Sequence, residues 1–123
     1  MGSPVTLLDH GFFRARAVSP VLSLAQPREN AQALRAAAQA AVEAEVALLL
    51  TPELSLTGYS CEDLFLTEPL LAESREALAQ LLRDTAELPL ALVVGAPWPV
   101  ADGRVFNVAR VLSAGQVVGA VPK

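Results

Sequence analysis

Leu49-Leu50-Thr51-Pro52-Glu53-Leu54-Ser55-Leu56-Thr57-Gly58-Tyr59 sets one carboxylate directly after a proline that closes a short apolar run. Such a run reads as a buried strand, and Pro52 stops its ladder because proline has no N–H to donate. Glu53 is thereby presented at the C-terminal end of a strand, where ligands and chemistry gather in open α/β sheets. The residues alone leave two readings of it: a general base fixed over a cleft, or a loop glutamate that caps a helix or pairs with a surface lysine.

Outward from this stretch, strand and helix signals alternate without a linker, a repeat or a low-complexity tract. Phe12 to Val18 reads as a strand, and Ser19-Pro20 and Gln26-Pro27 punctuate a loop, with Pro27 suited to the first turn of a helix. Ala31, Leu34, Ala38, Ala41 and Val42 then recur at helical spacing, a face of small residues suited to close packing on a sheet. Val46 to Leu50 is apolar throughout, which predicts a central parallel strand covered on both faces. Beyond Glu53, Thr67 and Pro69 open a second helix whose apolar face is Leu71, Leu78, Leu81 and Leu82, ending near Leu88-Pro89. Leu90 to Ala96 is a further buried strand, ended by Pro97-Trp98-Pro99. Asp102-Gly103 and Ala114-Gly115 are turn signals that frame a hairpin of Val105 to Leu112 with Gln116 to Val121. The order predicts an α/β fold with helices covering a mixed sheet.

The 123 residues suit one domain, and 53% hydrophobic side chains with a net charge of −4 describe a chain that needs much burial. Its apolar runs fall short of the roughly 20 residues that cross a bilayer, and no membrane partner is expected. Asp9 and Arg14 interrupt the N-terminus before an apolar signal segment develops. A pI near 4.9 with scattered arginines argues against a nucleic-acid-binding face. Cys61 is the single cysteine, so no intrachain disulfide is expected and a reducing cytoplasm is the natural setting.

The segment from Pro52 through Tyr59-Ser60-Cys61-Glu62-Asp63-Leu64-Phe65 resembles the catalytic-glutamate segment of the nitrilase superfamily of carbon–nitrogen hydrolases, closely so in the version found in glutamine-dependent NAD synthetases. His10-Gly11-Phe12-Phe13-Arg14 is similar to the start of that family's glutaminase domain, and Gly119-Ala120-Val121-Pro122-Lys123 to the strand end that carries its catalytic lysine. The resemblance implies a nitrilase-like αββα sandwich, of which residues 1–123 are the N-terminal portion: a truncated piece with a mixed sheet and helices on one face, and no synthetase domain. It implies glutamine as substrate and a Cys-Glu-Lys mechanism in which a thiolate attacks the side-chain amide, ammonia leaves and water resolves a thioester. Glu53 would be the general base, with a pKa tuned toward neutrality, and Lys123 the charge facing the oxyanion. No cofactor is implied for this stretch; ATP and magnesium belong to the synthetase domain, which amidates nicotinic acid adenine dinucleotide to NAD.

Cys61 aligns with a non-catalytic position of that family, whose nucleophile lies farther downstream, so the expectation is a packed or idle thiol and a chain inactive by itself. Ser60 and Asp63 have capping-box spacing, which accounts for Glu62 and Asp63 structurally. Tyr59 lines the substrate pocket or plugs the turn, and His10 reads as a solvated residue. Metal ligation is not expected. An uncovered sheet predicts self-association, with the synthetase domain or a complementary fragment as further partner. Two other readings fit the same residues: a fragment of an amidase or carbamoylase, and a non-catalytic assembly module.

Overall fold

The computed structural model describes residue 5 and residues 7–59 and 67–123. A 3-10 turn at Leu8–His10 leads into β1 (Ala15–Ala17), α1 (Pro27–Glu43), β2 (Leu48–Leu50), α2 (Glu68–Asp84), β3 (Ala91–Pro99), β4 (Val105–Ser113) and β5 (Gln116–Pro122). The strands form one sheet in the order β1-β2-β3-β4-β5, parallel from β1 to β3 and antiparallel from β3 to β5. Spatial and sequence order coincide, so the two helical crossovers step the same way. Crossovers of one hand then fall on one face of the sheet, and α1 and α2 pack against each other there.

The core lies between those helices and that face. Leu34, Ala38 and Ala41 of α1 and Leu78 and Leu81 of α2 meet Leu49, Leu92, Val94 and Leu112. Each buried Leu or Val stabilises by about 1.5–3 kcal/mol. Pro27 occupies the first turn of α1 and Thr67 the N-cap position of α2, as the sequence indicates. Ala114 and Gly115 both take positive φ, 51° and 77°, the pairing that joins β4 to β5 in a tight hairpin.

Among the described residues no layer covers the opposite face, which corrects the expectation for Val46 to Leu50. Leu49 is fully buried while Leu50 is 50% exposed, because both helices lie on the Leu49 side. The first strand is also shorter than expected. Only Ala15–Ala17 pairs, and Phe12 and Phe13 lie exposed before it. The second helix closes at Asp84, ahead of the expected Leu88-Pro89.

Pro97-Trp98-Pro99 does not end β3, contrary to expectation; the strand runs through it, paired with Val105 to Asn107. The reason is the direction of the prolines' nitrogens. Val93 and Gly95 turn their backbone polar groups toward β2, where they bond Thr51, Ser55 and Leu56. Pro97 and Pro99 share that parity, so the donors they lack point away from β4 and the ladder loses nothing.

Gly95 marks the tightest approach in the fold. A Cβ built there would stand 2.3 Å from the Leu54 nitrogen and 3.0 Å from the Glu53 carbonyl carbon, so the Glu53-Leu54 backbone lies directly on β3. Gly95→Val is therefore expected to lower the urea midpoint by an amount worth about 1–3 kcal/mol, the usual cost of overpacking. Gly119→Ala, whose Cβ would make only ordinary contact with Val111, serves as control and is expected to change little.

Candidate active site

Three segments converge on the uncovered face. β5 runs antiparallel to β4 and β4 antiparallel to β3, so β2, β3 and β5 all point the same way, and Glu53 and Lys123 both follow the C-terminal ends of their strands. β2 and β5 nevertheless stand three strand spacings apart, about 14 Å. The turn after Pro52 closes that distance by folding over Gly95.

A fully satisfied polar network fixes the turn. Thr51 Oγ1 donates to the Val93 carbonyl at 2.7 Å and lies 3.0 Å from Ser55 Oγ, which accepts the Gly95 N–H at 3.1 Å. Leu54 is left-handed with φ 53°, a conformation that costs a non-glycine residue energy and persists only when its surroundings impose it. Asn30, 1% exposed on α1, donates to the carbonyls of Leu56 and Ser23 and accepts the Ser23 N–H. The turn is thus tied to β3 on one side and to α1 on the other.

Glu53 Oε1 accepts hydrogen bonds from two donors, Lys123 Nζ at 2.9 Å and Asn107 Nδ2. Register explains the meeting. Asn107 opposes Pro97 on β4, and the Lys123 N–H bonds the Asn107 carbonyl at 2.9 Å, continuing the β4–β5 ladder one residue past Pro122. The period of two then places Asn107, Val121 and Lys123 on one face. They border an apolar cleft of about 660 Å³ with Leu50, Val93 and Ala109. Of the residues singled out in the sequence, Glu53 and Lys123 are together; Tyr59 does not line this cleft and is 67% exposed. His10 is exposed on the N-terminal 3-10 turn. Cys61, Glu62 and the Ser60–Asp63 capping pair lie outside the described residues. Among the described residues no cluster of three His, Cys, Asp or Glu side chains is placed to hold a metal ion, and no helix is long and apolar enough to cross a membrane.

The hydrogen bond from Lys123 holds the Glu53 carboxyl below its ordinary value, against the smaller upward push of desolvation, with Asn107 and the Lys123 charge adding to the lowering. That direction is opposite to a tuning toward neutrality, and the open face explains it: water still reaches Glu53. The same hydrogen bond and charge raise the Lys123 ammonium, to which Tyr59 contributes weakly.

Residues 15–121 match the family model for carbon-nitrogen hydrolases. The chain belongs to that family. It is 40% identical over 115 residues to the glutamine-dependent NAD(+) synthetase of Mycobacterium bovis, an alignment that covers 94% of this chain and 17% of the relative's length. Among solved structures it is similar to a glutamine-dependent NAD(+) synthetase from Cytophaga hutchinsonii, with a TM-score of 0.82 and 27% identity over 90% of this chain and 19% of the other. An amidase from Nesterenkonia sp. gives a TM-score of 0.74 at 25% identity, over 90% of this chain and 42% of the amidase. The mixed five-stranded sheet with two helices is thus the nitrilase-like fold of these neighbours.

The two shifts set a pH window. A lowered Glu53 contributes stability above its ordinary value of 4.5 that is lost as pH falls through its folded value; a raised Lys123 contributes below 10.5 and loses it as pH rises through its own folded value. Carboxyl NMR of the folded chain is expected to show Glu53 titrating below 4.5, moving up in Lys123→Met and moving up partially with added salt, because the pair is exposed.

Proposed function

We propose that this chain is the N-terminal portion of a nitrilase-type glutaminase domain, serving a glutamine-dependent NAD synthetase. The observation that carries the reading is the Glu53–Lys123 contact of 2.9 Å over an apolar cleft, in a member of the carbon-nitrogen hydrolase family. The 40% identity to the mycobacterial synthetase over nearly the whole chain favours glutamine over the simple amides implied by the more distant amidase likeness.

In this reading a cysteine thiolate from outside these 123 residues attacks the side-chain amide carbon of glutamine. Glu53 takes the thiol proton, which the departing nitrogen acquires as ammonia leaves, and then deprotonates the water that opens the thioester to glutamate. Lys123 uses one ammonium hydrogen on Glu53 and has two more to offer the oxyanion of the tetrahedral intermediate. Cys61 is not the nucleophile. The ammonia goes to a synthetase domain that uses ATP and magnesium to amidate nicotinic acid adenine dinucleotide.

A chimera in which this chain replaces the matching 115 residues of the Mycobacterium bovis relative tests the assignment through glutamate release from glutamine. Glu53→Gln is expected to lower kcat by about 10²–10⁴-fold, the usual contribution of a general base, and Lys123→Ala by about 10²–10³-fold. Full activity in both variants would reject the site. The same reading treats the uncovered face, where Leu50 and Val121 are at least half exposed, as the seat of a second layer. The isolated chain is accordingly expected to self-associate, and light scattering that finds only monomer at micromolar concentration counts against it.

A further inference from the structure

We propose that Asn107 is a positioning residue which holds both members of the Glu53–Lys123 pair and reserves Glu53 Oε2 as the oxygen that accepts the proton. The inference deepens the reading of Glu53 as general base and rests on it.

Asn107 acts through two different groups. Its backbone carbonyl accepts the Lys123 N–H at 2.9 Å, and its side-chain Nδ2 donates to Glu53 Oε1. The lysine main chain and the glutamate carboxylate are thereby referred to one residue of β4. Lys123 Nζ donates to that same Oε1. A carboxylate offers about four lone-pair sites over its two oxygens; with both donors on Oε1, Oε2 keeps its own and, among the described residues, accepts no hydrogen bond. The amide must present Nδ2 here, since reversing it would set its carbonyl oxygen against the carboxylate.

The choice of residue is also informative. Asn107 interrupts the apolar run Val105-Phe106-Asn107-Val108-Ala109, and asparagine is disfavoured in strands. A neutral donor suits the place. It orients the carboxylate without competing with Lys123 for charge, whereas a second ammonium would repel the first. Opposite it stands Pro97, whose side chain brings no rival hydrogen-bonding group.

Two variants read the role. Asn107→Leu removes the donor at similar size; Asn107→Asp replaces it with a second carboxylate. Both are expected to raise the Glu53 titration, N107D by more, because two carboxylates sharing a site resist joint ionisation. Labelling the glutamate carboxyls alone keeps the carboxylate introduced in N107D out of the spectrum. The other charged or titratable groups felt at the site are Lys123 and, through it, Tyr59. A Glu53 titration unmoved in N107L overturns the proposal. Should N107L fail to fold, Asn107→Ser gives the same reading with a polar side chain too short to reach.

In the chimera, N107L is expected to lower kcat by about 10–100-fold through misplacement, with KM little changed and the acid limb of the kcat/KM profile moved to higher pH. An unmoved limb with unchanged kcat, alongside an inactive Glu53→Gln, overturns the role of Asn107 and leaves the base assignment standing. A fully active Glu53→Gln instead overturns the reading beneath it.

Discussion

The contact on which the site depends is backbone against backbone: the Glu53-Leu54 peptide lying on Gly95, with no room for even one carbon between them. The geometry of the site follows from that crossing. β2 and β5 are too far apart for a glutamate and a lysine at their ends to meet by side-chain reach alone, so the turn has to travel over β3. Glycine permits the passage, and the hydrogen bonds that join Thr51, Ser55 and Leu56 to Val93 and Gly95 hold the turn there. Asn30 secures the far end from α1. The left-handed Leu54 fits this account, since a strained residue survives where its neighbours leave it no alternative.

Electrostatics at the site are governed by its open face. With the face open, the hydrogen bond from Lys123 outweighs desolvation and the Glu53 carboxyl is held low. Covering the face would withdraw water, and desolvation acts upward on a carboxyl. The basicity of Glu53, bonded by Lys123 and Asn107, is therefore set by how much water reaches the cleft.

Much of the architecture was legible because it rests on periodicity. The 3.6-residue pattern of Ala31, Leu34, Ala38 and Ala41 and the turn chemistry of Ala114-Gly115 led to α1 and the hairpin as they stand. Glu53 and Lys123 were legible through their resemblance to a family. What escaped depends on register and on partners distant in sequence. A uniformly apolar strand such as β2 does not reveal that only one of its faces is covered. Pro97 and Pro99 read as stops until the direction of their nitrogens is known. Asn107 is a single polar residue among apolar neighbours, and that interruption is the one signal the chain offered of it; Asn30, between Glu29 and Gln32, gave none. Gly95 gives none, because its role lies in what a side chain would strike.

Those two prolines have a further effect. β3 outlasts β2, so its flank beyond Gly95 has no partner strand among the described residues. A stranger strand annealing there would need amide hydrogens to bond, and Pro97 and Pro99 offer none. The long central strand on which the Glu53 turn rests thus carries its own protection against templated aggregation.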